Sequence, residues 1–145
     1  MKHLFLYAVV FICMSSISFA QKENESKTVI PSAAKSAFSK AFPGSSKIKW
    51  EKEGKDYEVN FLREGQQMSA VYSPAGTLVE TEVAIKIIEL PTSVSEYINK
   101  QYKGSKIAEA AKITKANGEV NYEAEVNKKD VLFDAQGKFI KEAKD

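Results

Sequence analysis

"IPSAAKSAFSKAFPG" (Ile30–Gly44) returns in altered letters as "LPTSVSEYINKQYKG" (Leu90–Gly104). Pro31 aligns with Pro91, Phe38 with Ile98, Phe42 with Tyr102 and Gly44 with Gly104, a constant offset of 60. Each copy reads as a short helix. Ala34, Phe38 and Ala41/Phe42 share a face at i, i+4 and i+7/8, as do Val94, Ile98 and Gln101/Tyr102. Proline suits the first turn, where its missing N–H would have no partner anyway. Ser32 and Thr92 stand where a capping side chain is wanted, and Pro-Gly and Lys-Gly stop the two helices.

After each helix the apolar period changes from 3.6 to 2. In "KIKWEK" Ile48 and Trp50 oppose Lys47, Lys49 and Glu51. In "DYEVNFLR" Tyr57, Val59 and Phe61 oppose Glu58, Asn60 and Leu62; in "QMSAVY" Met68, Ala70 and Tyr72 oppose Gln67, Ser69 and Val71. The second copy has Val120, Tyr122, Ala124 and Val126 against Glu119, Asn121, Glu123 and Glu125, then Val131, Phe133 and Phe139. Such alternation marks half-buried antiparallel strands. "SKIAEAAKI" (Ser105–Ile113) has helical propensity in its alanines, but its place in the repeat demands a strand. "VAIKIIEL" (Val83–Leu90) alternates at Val83, Ile85 and Ile87 and reads as an extension of the fourth strand.

"VYSPAGTL" (Val71–Leu78) and "LFDAQGKF" (Leu132–Phe139) are the hairpins between third and fourth strands. Ser73 and Asp134 stand at position i of a type I turn, and Gly76 and Gly137 at i+3. The chain is therefore expected to be α+β: two tandem helix-plus-four-strand units, 30–82 and 90–143, forming a two-layer sandwich. A single curved antiparallel sheet of about eight strands, running on from one unit to the next, would carry both helices on one face.

The first 20 residues are excluded from that fold. A basic start (Lys2, His3), an apolar run from Leu4 to Met14, and Ser18 and Ala20 at −3 and −1 read as a secretory signal peptide cleaved after Ala20. Residues 21–29 read as a flexible leader, and 30–145 as one domain. Removing Lys2 from 21 basic residues leaves 20 against 19 acidic ones, a net charge of +1 that argues against nucleic-acid binding. The apolar run is shorter than the ~20 residues a membrane span requires, so no span is expected after cleavage. Cys13 and His3, single residues of their types, both fall in the leader peptide. The secreted chain would thus have no disulfide, no Cys nucleophile, no His base and no Cys/His zinc site. Nothing places an acid, a base and a pocket together, so no enzyme and no cofactor are expected.

The doubled pattern of "[IL]P", "FPG" or "YKG", "DYEVNF" or "VNYEAEV", then "YSPAGTL" and "FDAQGKF", resembles the secreted bacterial PepSY-like, beta-lactamase-inhibitor-like proteins over Ile30–Ala143. The resemblance implies an envelope or extracellular protein. It also implies a fold similar to that of the beta-lactamase inhibitor protein, which wraps a concave antiparallel sheet around its target. That inhibitor is disulfide-bonded, whereas this chain offers no second cysteine.

Function is expected on the sheet face turned away from the helices. Lys49, Glu51, Glu58, Asn60, Leu62, Ser69 and Val71 cross it in the first unit, with Asn121, Glu123 and Glu125 in the second. It reads as a solvated, mostly polar surface suited to an unidentified protein partner in the cell envelope, presented by a monomer. The alternative is a small ligand or cell-wall fragment in a cleft between the repeats. A cation on Glu119, Glu123 and Glu125 is disfavoured, because same-face strand neighbours stand ~7 Å apart. Trp50 and Tyr57, Tyr72, Tyr102 and Tyr122 read as core residues, the tyrosines with wet hydroxyls.

Overall fold

The computed structural model describes residues 29–143. The expected signal peptide, and the leader up to residue 28, lie outside the described residues. The first unit contains α1 (Ser32–Ala41), β1 (Ser46–Glu53), β2 (Asp56–Arg63), β3 (Gln66–Tyr72) and β4 (Leu78–Ala84). A 3-10 turn at Ile87–Glu89 leads to α2 (Thr92–Gln101), β5 (Ile107–Lys115), β6 (Val120–Val126), β7 (Lys129–Asp134) and β8 (Phe139–Ala143). The eight strands form one sheet in the order of the chain. The halves are joined by antiparallel pairing of β4 with β5, Glu80 opposite Lys115 and Glu82 opposite Ile113.

Each helix lies over its own unit, and the two cores are separate. In the first, Ala34 and Phe38 of α1 meet Val59, Phe61, Ala70 and Tyr72. Phe38 stands edge-on to Trp50 at 5.6 Å and to Phe61 at 4.9 Å, arrangements favoured by the ring quadrupoles. In the second, Val94 and Ile98 of α2 meet Ala110, Ala124, Val126, Val131 and Phe133. The register makes Ala110, opposite Ala124, the counterpart of Trp50, opposite Val59. The two helices thus settle on differently shaped floors.

Several local expectations are corrected. Pro31 and Pro91 are the N-cap residues, with extended ψ of 138°, and neither helix has a side-chain cap. Ser32 and Thr92 are instead the first helical residues, and the proline carbonyls accept from Lys35 and Val94. β4 ends at Ala84, and Ile87 belongs to the 3-10 turn, where the Lys86 N–H donates to the Glu89 carboxylate at 2.7 Å. A bulge between Ser46 and Lys49, with Lys47 at φ 51°, breaks the alternation of β1 and leaves Ile48 exposed. The Tyr72 hydroxyl is buried without a partner rather than wet. Tyr102 donates to Glu142. "SKIAEAAKI" does form a strand, because pairing on both sides outweighs the helical propensity of its alanines.

The recurring hairpins lock strands to helices. Gly76 and Gly137 donate to Ser73 and Asp134, closing the turns at 2.9 Å each. Both glycines have positive φ, and both touch the start of the helix of their own unit. A Cβ at Gly76 would lie 2.7 Å from the Ala33 carbonyl oxygen; one at Gly137 would lie 2.1 Å from Ser93 Oγ. Ser93 in turn donates to the Gln136 carbonyl at 2.8 Å. Gly76→Ala is expected to cost about 2–3 kcal/mol, backbone strain plus a clash with main chain. Gly44→Ala, at φ 78° with open space around it, should cost only about 1 kcal/mol. Equal midpoint shifts for the two variants in urea would show that the close approach is unimportant.

Candidate functional site

The strand registers carry one row of side chains across the face opposite the helices: Lys49, Asn60, Ser69, Glu82, Ile113, Asn121 and Asp134, from β1 to β7. A second row holds Glu51, Glu58, Val71 and Glu80, and a third brings Glu123 beside Ala111 and Leu132. Glu125 lies between Glu109 and Asp130. Leu62, two positions beyond Asn60 on β2 and opposite Gln67, joins them, so all ten residues singled out in the sequence share this face.

The face is not the solvated surface expected. Glu58, Ser69, Val71, Asn121 and Glu123 are buried, and Glu51, Asn60, Leu62 and Glu125 are half-buried; Lys49 alone of the ten is exposed. Long-range electrostatics give the reason. Lys141 of β8 acts on Glu80 of β4, although four flat strand spacings would separate them by ~19 Å. Glu53 of β1 likewise acts on Glu82 of β4. Both influences fit a sheet that curls toward this face, as accumulated strand twist allows. Curling crowds the side chains and excludes water, which alternation along a single strand cannot reveal.

The result is an acid-lined trough. Glu82 is 3% exposed, and neither of its carboxylate oxygens has a hydrogen-bond partner. The Asn121 carbonyl oxygen and one oxygen of Glu58 are also unpartnered. Burial pushes the Glu82 and Glu123 carboxyls well above the usual range, and the negative charges around them push further. Glu53 rises to about 8, through burial and then the charges of Glu58, Glu80 and Asp56. Burial raises Glu80 against the pull of Lys115 and Lys141. It also raises Glu58, against hydrogen bonds from Ser69 and Asn60. At the edge, Lys49 pairs with Glu51 at 2.5 Å and Lys115 with Glu119 at 2.7 Å.

A cavity of about 550 Å³ opens in this face where the two units join. β4 there runs out into the 3-10 turn, and β5 is bulged between Ile107 and Glu109. Glu82, Glu109, Glu123, Glu125 and Asp130 line it together with Ala84, Ile85, Ile87, Ile88, Ala108 and Lys86. Ile88 is 89% exposed and Ile87 42%. No group of three or more carboxylates among the described residues could hold a metal ion. The sequence reading missed Glu82 and the turn. Glu80 and Glu82 alternate with Val79, Thr81 and Val83, so their side was legible. The isoleucines beyond were absorbed into a strand that does not extend so far.

The family model described as "Putative beta-lactamase-inhibitor-like, PepSY-like" matches the chain twice, over residues 7–80 and 66–141. Three crystal structures share the fold. A "putative periplasmic" protein of Bacteroides eggerthii superimposes with a TM-score of 0.69 at 16% identity, covering 79% of this chain and 88% of that one. A DUF2874 family protein of Bacteroides uniformis gives 0.67 at 18%, covering 77% and 87%. A BLIP-like protein of Bacteroides fragilis gives 0.60 at 22%, covering 83% and 90%. No curated protein matches the chain. No helix among the described residues is long and apolar enough to cross a membrane.

Proposed function

The chain belongs to the PepSY-like, beta-lactamase-inhibitor-like family, and on that premise we propose that it is a non-enzymatic binding protein of the periplasm or cell exterior. It acts as a monomer that takes hold of an envelope protein with the trough side of its sheet, restraining an enzyme by covering its active site. The observation that carries this reading is the pairing of an acid-lined trough with an exposed apolar rim. Ile87 and Ile88 stand out from the surface beside buried carboxylates, the mixture of apolar anchor and polar surround found at protein interfaces. The periplasmic location is supported by the description of the Bacteroides eggerthii relative and by the leader-like sequence of residues 1–20.

Ile88→Asp tests it, since so exposed a residue can change without cost to the fold. The protein should capture a saturable partner from an envelope extract, and the variant should bind that partner at least about tenfold less tightly, the loss of one rim anchor. Retention of the partner by Ile88→Asp, or the lack of any saturable partner, would overturn the assignment.

A second reading, a small ligand held between the repeats, is favoured by the cavity, to which β4 of one unit and β5 and β6 of the other contribute. Trp50 packs on Phe38 under α1, on the opposite face of the sheet. Its fluorescence would not report on that ligand, whereas a thermal shift would.

A further inference from the structure

The cavity at the junction of the units contradicts the ordinary rule for buried charge. Five carboxylates line it, and Lys86 is the one cation on its wall among the described residues. Glu82 projects there with both oxygens out of reach of any donor. A buried acceptor pair of this kind costs several kcal/mol unless something satisfies it. A metal ion does not fit, since the carboxylates do not converge on a point and the volume far exceeds that of an ion. The lining also includes the apolar Ala84 and Ile85 and the exposed Ile87 and Ile88.

We propose that this cavity receives the cationic end of an alkylamine, an ammonium or guanidinium head on a short apolar stem. The head sits among Glu82, Glu123 and Glu125, and the stem lies along Ala84, Ile87 and Ile88. Lysine and arginine side chains have this form, with methylene stems that pack on apolar surface while the head seeks charge, and so do free polyamines. The inference deepens the binding role above by naming what the trough recognises. It rests on that reading only for the claim that a partner protein carries the amine.

The charges around Glu82 are those of Glu80 on its own strand, Glu53 and Glu58 from β1 and β2, and Asp130 from β7, and Glu82 in turn acts on Glu123 of β6. Ser69 and Ile113, opposite it on β3 and β5, carry no charge. Burial and the neighbouring negative charges favour the protonated forms of Glu82 and Glu123. An arriving cation makes the ionised forms favourable, so binding releases protons and tightens as pH rises.

Calorimetric titration of the protein with 1,5-diaminopentane and with the blocked tripeptide acetyl-Gly-Lys-Gly-amide tests this, with 1-pentanol as the uncharged control. Both amines should bind saturably, at least about tenfold tighter at pH 8 than at pH 6, and pentanol should not bind. Glu82→Gln should weaken both amines at least about tenfold without lowering the melting temperature, and Glu125→Gln should weaken them as well. Tighter binding of the tripeptide assigns the site to a partner's side chain, and tighter binding of the diamine to a free solute; either keeps the ammonium chemistry. No saturation by either amine up to about 10 mM at pH 8, equal binding of pentanol, or unchanged affinity in Glu82→Gln would overturn the proposal. The titration needs no partner protein, so its failure is distinct from failure of the envelope capture.

Discussion

Phe133→Ala is expected to destabilise the fold by about 3–5 kcal/mol, lowering the melting temperature by about 10–20 °C. Phe133 is fully buried in the second core. It stands edge-on to Tyr97 at 5.4 Å and to Phe139 at 6.3 Å, while Tyr97 and Phe139 stack on each other at 5.0 Å. Truncation leaves a void that these rings, held by α2 and by β8, can close only in part. A domain of this size has about 5–15 kcal/mol in hand, so the loss is a large fraction of its stability. Phe38→Ala should cost a similar amount in the first core. Because the clusters share no residue, the two losses should add within about 0.5 kcal/mol. Unfolding should still be a single transition, because β4–β5 pairing makes the halves one sheet. Two separate melting steps in Phe133→Ala, or a loss below about 1 kcal/mol, would contradict the continuous eight-stranded sheet with two cores.

Stability should fall as pH rises from about 4.5 to about 8, the reverse of the trend set by salt-bridged carboxylates. A carboxyl whose folded-state pKa lies above its unfolded value binds its proton more tightly in the folded protein. Its contribution is complete below the unfolded value of 4.5 and is lost as pH rises through the folded value, which for Glu53 is about 8. Glu82 and Glu123 move in the same direction and carry most of the effect, being far more buried than Glu53. Their mutual repulsion keeps them from ionising together. The expected loss across the window is about 2–4 kcal/mol. Glu82→Gln, which keeps the shape without the charge, should flatten the profile and gain about 2 kcal/mol near pH 8. Urea midpoints followed across pH would measure this, and a wild-type protein that became more stable between pH 5 and 8 would refute the protonated trough.

These expectations rest on residues of unequal legibility. Phe133 was identifiable from alternation with Leu132 and from its place beside the Asp134–Gly137 turn. Glu58 and Glu123 were assigned to the correct face by the same alternation, yet to the wrong environment. The 3-10 turn at Ile87–Glu89 was missed because Val83, Ile85 and Ile87 satisfy a period of two; the Lys86–Glu89 contact that ends the strand is made only once the chain has turned.

Sequence alone determined the duplication, the order and face of the strands, the closing turns and the family. Each of these is written in local periodicity and local turn chemistry, which involve neighbours a few residues apart. Only the tertiary structure decided that the concave face expected from the resemblance buries its carboxylates rather than leaving them open to water. Only there does Glu82 become a buried carboxyl without a partner, at the mouth of a cavity between the halves. The physical reason is curvature: strand twist summed along the sheet brings charges of β1 and of β8 within reach of those of β4, a distance that no pattern along one strand contains.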